Sequence, residues 1–207
     1  MRRLSILILV LCLLCSCALG EETISGVRYK DYLTRYAENI DLINNSAGRH
    51  LLPLVPATRS SAERDGRKYH EIFGDVLSLT IRTDPTGEII ELCTITITAP
   101  ADMAYGSATH RDFTTSGYQS YAMLMAMDTA SHAHERYQLV EDVEAGLANG
   151  NGTYLRQLGV YRLTCTSENR TVTMQFHNTL VEPTPTPAPE ETPVTEAEAT
   201  PEPDSES

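Results

Sequence analysis

Leu77-Ser78-Leu79-Thr80-Ile81-Arg82-Thr83 runs into Asp84-Pro85-Thr86-Gly87, and the chain returns through Ile89-Ile90-Glu91-Leu92-Cys93-Thr94-Ile95-Thr96-Ile97-Thr98. Leu77, Leu79 and Ile81 alternate with polar residues, as do Cys93, Ile95 and Ile97. Side chains of a strand point alternately to its two faces, so this period of two predicts strands with one buried and one solvated face. The four residues between them make a turn, with proline where φ is fixed near −65° and glycine where φ can be positive. The stretch therefore predicts an antiparallel hairpin.

A second hairpin follows near the end of the patterned region. Tyr161, Leu163 and Cys165 alternate on one run, Ser167-Glu168-Asn169-Arg170 turns, and Val172, Met174 and Phe176 alternate on the next. Upstream, Asp65-Gly66 marks a tight turn before a strand over residues 68–73, while Pro53 leaves residues 51–55 as an edge segment or loop. Helical spacing occupies the remainder. Tyr29, Leu33, Tyr36, Ile40 and Ile43 recur every three or four residues, with Ser25 as the expected N-cap and Ser46-Ala47-Gly48 as the stop. Tyr118, Tyr121, Ala122 and Met125 mark a helix from about residue 113 to 129. Leu139, Val140, Val143 and Leu147 mark another over 133–148, either continuous with the first or separate. Asn149-Gly150-Asn151-Gly152 ends it; this glycine run follows a helix, whereas a phosphate loop must open one. The expected fold is α+β: an antiparallel sheet of four to five strands in two hairpins, with an N-terminal helix and one or two central helices packed on one face. Leu79, Ile95, Leu163 and Phe176 should share one interior.

The two ends of the chain have other compositions. Arg2 and Arg3 precede an apolar run from Leu4 to Leu14, too short to span a bilayer and of the length of a secretory signal. Residues 1–20 read as a cleavable signal peptide, leaving one α+β domain over 21–181. Cleavage after Ala18-Leu19-Gly20 would start the mature chain at Glu21. Alternatively, Leu14-Cys15-Ser16-Cys17 matches a lipobox except at Cys15, and would leave Cys17 lipidated and the chain held at a membrane by acyl groups alone. Residues 182–207 are Pro, Thr, Ala and Glu with almost nothing to bury, the composition of a disordered acidic tail. The whole chain carries a formal charge of −12, and residues 21–181 carry −6, from 14 basic and 20 acidic residues. Without clustered Lys and Arg, nucleic acid is excluded as a partner.

Of five cysteines, Cys93 and Cys165 alone lie in the patterned region. An exported chain with two such residues leaves two readings open, a disulfide worth about 4 kcal/mol in the chain-entropy treatment or two buried free thiols. Four further residues are candidate metal ligands: His110 with Asp112, and His132 with His134. Zinc takes three or four such side chains, yet neighbours two apart on a helix point about 200° away from each other. The spacing of a zinc-protease helix, the Gly-x-Ser-x-Gly elbow and the Ser-x-x-Lys pair are all missing from residues 21–181. No residue is assigned as catalytic, and no cofactor is called for. Tyrosine dominates the aromatics, ten against three phenylalanines, and Tyr69, Tyr105 and Tyr154 fall near expected loops or edges, where an apolar ring with a polar tip suits recognition.

In its signal with a lipobox-like end and its Pro/Thr/Glu-rich terminus, the chain resembles small secreted proteins and lipoproteins of bacteria whose families are uncharacterised. That resemblance implies an extracytoplasmic location, either secreted or lipid-anchored. The expected function is a non-catalytic module at the cell envelope, binding a protein, peptide or glycan on its sheet face or in a groove between helix and sheet. The alternative is a small cell-envelope hydrolase, metal-dependent if His110, Asp112, His132 and His134 converge.

Overall fold

A computed structural model describes residues 25–61, 65–130 and 132–181. The signal segment, Cys17 and the acidic tail lie outside the described residues. Along the chain come α1 (Tyr29–Ala47), β1 (Ala57–Ser61), β2 (Arg67–Ile72), β3 (Leu77–Thr83), β4 (Ile90–Thr98), α2 (Ala108–Ala126), α3 (Ala133–Asn149), β5 (Thr153–Leu158), β6 (Tyr161–Glu168) and β7 (Thr171–Asn178). The fold is α+β. The strands form one antiparallel sheet in the order β1-β2-β3-β4-β7-β6-β5, so the two halves of the chain meet at the β4–β7 pair.

Both expected hairpins are present, and register links them into continuous rows. Ile81 pairs with Cys93, Cys93 with Phe176 and Phe176 with Leu163; one row on, Leu79, Ile95, Met174 and Cys165 stand side by side. All eight are buried, and they share one core with side chains of all three helices. Leu79, Ile95, Leu163 and Phe176 do occupy one interior. Each such side chain stabilises the fold by roughly 1.5–3 kcal/mol through the water it sheds. The opposite rows are hydroxyl-rich, such as Ser78, Thr96, Thr173 and Thr166, and stay at least partly solvated.

At the first turn Asp84 does more than the turn pattern requires. Its Oδ1 accepts from the backbone N–H groups of Gly87, Glu88 and Ile89 at 2.8–3.1 Å, and Gly87 takes φ +85°. Burial pulls its carboxyl upward, but the bonds from the Thr86 hydroxyl and those three N–H groups outweigh it and hold the pKa below the usual carboxylate value.

Three expectations need correction. The sheet has seven strands, because β1 and β5 are edge strands with no apolar alternation to announce them: Ala57-Thr58-Arg59-Ser60-Ser61 and Thr153-Tyr154-Leu155-Arg156-Gln157-Leu158. An edge strand needs only one partner's hydrogen bonds and can be short and polar. The disulfide does not form. Cys93 on β4 and Cys165 on β6 flank β7, two strand spacings (about 9–10 Å) apart across the sheet and in different rows, whereas bridged cysteines need Cα atoms within about 7 Å. Both are buried free thiols, and burial pushes the Cys165 thiol up to about 12 and Cys93 higher still, so neither is a nucleophile at neutral pH. Finally, Arg28 and not Ser25 occupies the N-cap of α1, although Gly48 ends that helix as expected, left-handed at φ +60°.

Helix α1 packs on α2, and polar bonds lock that contact. The Tyr36 hydroxyl donates to Gln119 Oε1, and Asn39 Nδ2 donates to the Ala122 carbonyl at 3.2 Å. Arg136 of α3, 2 % exposed, joins them. Its guanidinium donates to Asn39 Oδ1 (3.1 Å), the Ala130 carbonyl (3.0 Å) and Glu38 Oε2 (2.9 Å).

Candidate functional site

Helix α2 begins five residues before the expected start, because Ser107 caps it: its hydroxyl accepts from the His110 N–H at 3.1 Å. That extra turn brings His110, Phe113, Thr114, Gly117, Tyr118 and Tyr121 into one stripe at intervals of three and four, ending at Leu124. On α3 the facing stripe is Val140, Val143, Glu144 and Leu147. Between the two helices and the sheet lies a cavity of about 450 Å³, within the range of small-molecule sites. Its floor is Ile97 of β4 beside Val172 and Met174 of β7. Met103, from the loop ahead of α2, completes the wall.

Gly117 helps to explain the hollow. A Cβ there would meet nothing closer than the Ile97 Cδ1 at 3.9 Å, so the centre of the α2 stripe has no side chain to fill the gap. Beneath it, Ile97 and Val172 pair across β4 and β7 yet are only half-buried, unlike the two rows before them. The helices cover those rows and stand off from this one.

The polar groups of the lining divide into those already bonded and those left over. Thr114 donates to the His110 carbonyl and Ser120 to the Gly117 carbonyl, both at 2.8 Å within the helix. The Tyr121 hydroxyl donates to Glu144 Oε1 across the interhelical gap. Burial first, and then that carboxylate, push the Tyr121 phenol far above its ordinary pKa, so it remains a donor at every physiological pH. The His110 ring, the Tyr118 hydroxyl and Glu144 Oε2 have no hydrogen-bond partner among the described residues. Outside the lining, exposed Tyr105 leans on the His110 ring at 4.9 Å between centroids, and Arg49 lies over the Tyr118 ring at 5.0 Å. The arrangement suits an apolar body with a few hydrogen bonds at its edge. It offers no activated nucleophile.

The sequence candidates are scattered by this geometry. His110 lines the cavity; Asp112, in the next position but one, is exposed. His132 is the N-cap residue of α3, and its ring stacks on His134 at 5.6 Å. The two pairs sit at opposite ends of α2, whose 19 residues rise about 28 Å. Among the described residues no three His, Cys, Asp or Glu side chains could hold one metal ion. Of the tyrosines singled out, Tyr105 is exposed, Tyr69 donates to Asp65 Oδ2 at 2.8 Å, and Tyr154 packs against the core. The cavity stripe of α2 was readable as spacing from His110 onward, but two polar residues and a glycine in it masked the pattern. No described helix is long and apolar enough to cross a membrane. Compared with known proteins, the chain matches no family model, no curated sequence and no solved structure.

Proposed function

We propose that this protein is a non-catalytic, extracytoplasmic binding module that holds a small, largely apolar ligand, or the apolar part of a larger one, between α2, α3 and the sheet. The observation that carries the reading is the 450 Å³ cavity with its floor of Ile97, Val172 and Met174 and only a few free polar groups. Of the partner classes expected from the sequence, an apolar side chain of a peptide or protein suits that lining, and so does an acyl chain, which was not among them. A glycan does not, because its hydroxyls would lose water without gaining bonds. The location rests on residues 1–20: a mature chain that begins at Glu21, or at a lipidated Cys17, supports it, and an unprocessed Met1 in the cytoplasm overturns it.

The test is titration with a neutral apolar dye, N-phenylnaphthylamine, followed by fluorescence. The reading expects saturable uptake of one dye per chain, displaced by a medium-chain alcohol. Gly117→Leu, which fills the hollow from its centre without disturbing the helix, should weaken binding by at least about tenfold, a ligand of this kind losing several buried CH₂ contacts. Uptake that never saturates, or that Gly117→Leu leaves unchanged, removes the reading.

A further inference from the structure

Among the residues that line the cavity, Glu144 alone carries a formal charge, and no lysine or arginine joins it. Glu144 is exposed at the cavity's edge; Tyr121 donates to its Oε1, and Oε2 has no partner among the described residues. The backbone does not reverse this bias. The N-terminus of α2 (first turn, His110) and the C-terminus of α3 (last turns, Leu147) both reach the cavity, and their opposite helix dipoles offset each other. Arg49 lies 5.0 Å over the Tyr118 ring but is not a lining residue; it and Glu144 are both exposed, so salt screens either charge. The aromatic rings add to the same sign. Phe113, Tyr118 and Tyr121 line the cavity, and aromatic ring faces attract positive charge, as Arg49 over the Tyr118 ring shows.

Building on the cavity reading, we infer that the ligand is a cationic amphiphile, an apolar chain or ring ending in an amine, with its body over Ile97, Leu124 and Val143 and its ammonium at Glu144. A carboxylate or phosphate amphiphile of the same length would instead bring like charge to Glu144, with no lysine or arginine in the lining to receive it and the His110 ring as its one basic contact. A neutral alcohol gains the apolar contacts alone.

Three ten-carbon probes separate these cases: decylammonium, decanol and decanoate, titrated calorimetrically into the full chain at pH 7 and in low salt. The expected order is decylammonium tightest, by about tenfold over decanol, with decanoate weakest. Glu144→Gln keeps an acceptor for the Tyr121 hydroxyl and should bring the decylammonium-to-decanol ratio within about threefold. Raising salt should shrink the same ratio. If the three probes bind alike, or decanoate binds best, the charge assignment is overturned while the cavity reading stands. If none binds, both fall.

Discussion

Helix α2 is built differently at its two ends. From Ala122 to Met127 six consecutive residues are buried, because α1, α3 and the sheet enclose the helix on every side. From His110 to Tyr121 the same helix is half-covered and faces a cavity. At the closed end Arg136 bonds Asn39 and Glu38, and Asn39 bonds the Ala122 carbonyl, a network across three helices. Between His110 and Tyr121 the helices are joined by separate pairs, Tyr36 to Gln119 and Tyr121 to Glu144. Density is uneven in a way that assigns tasks: one half fixes where the helices stand, and the other leaves room between them. Close packing has its own cost. Tyr32 Oη, Arg35 Nη2 and His70 Nε2, all outside the cavity lining, are buried without a hydrogen-bond partner, an arrangement that dry, tightly filled regions tolerate at a penalty.

If the closed end carries stability, removing its central side chain should be the most damaging change. Arg136→Ala leaves a void and strips Asn39 Oδ1 and the Ala130 carbonyl of their donors. We expect a loss of about 3 kcal/mol in urea unfolding, toward the lower end for a broken buried pair because Glu38 is itself half-exposed. A loss under about 1 kcal/mol would dissolve the contrast between the two ends. A second comparison uses one substitution at two helical glycines. In α3, Gly146→Ala would place a Cβ 2.0 Å from the Tyr154 ring, which must then leave its seat against the helix, for a cost of about 2 kcal/mol. In α2, Gly117→Ala meets only open space and ordinary contact with Ile97. It should raise stability by about 0.5–1 kcal/mol through helix propensity. A loss of stability in Gly117→Ala would mean that the hollow is not free volume, and a gain in Gly146→Ala that the Tyr154 ring yields at no cost.

The closed end and the sheet centre were legible in the sequence; the hollow was not. Period two at Leu77–Ile81, Cys93–Ile97, Tyr161–Cys165 and Val172–Phe176 gave the four central strands, because a half-buried strand must alternate. The stripe on α1 holds at Tyr36, Ile40 and Ile43, but its other flank was missed. Tyr32 and Asn39 are fully buried and Leu33 only partly, since the helix turns toward α2 and pairs Asn39 with a carbonyl there. Polar core residues such as Asn39 and Arg136 defeat a hydrophobicity pattern by construction. Strands β1 and β5 escaped for the opposite reason: edge position asks little of a sequence. The cavity belongs to no element alone. It needs Gly117 on one helix, the standoff of another and a row of the sheet left half-covered, and such a coincidence has no one-dimensional signature.

A last and smaller effect probes the interior from its edge. His70 of β2 is buried 3.7 Å from the Tyr29 ring, centroid to centroid, with Nδ1 bonded to the Thr58 hydroxyl of β1 at 2.9 Å. Burial first, and then the charge of Lys68, lower its pKa from 6.5. A lowered value means that the unfolded chain binds the proton first as pH falls. The stabilising contribution of neutral His70 is therefore complete above about pH 7, and it declines from about pH 6.5 downward until the folded imidazole protonates as well. Urea melts at pH 7.5 and 5.5 should show this decline in the parent and less of it in His70→Gln, which keeps a partner for Thr58 and cannot titrate. Hydrogen exchange at β1 should quicken over the same window, since Thr58 is the side chain through which His70 holds that edge. Parent and variant profiles that coincide would show water reaching the Tyr29–His70 stack, and would place this corner of the sheet with the hollow half of the molecule.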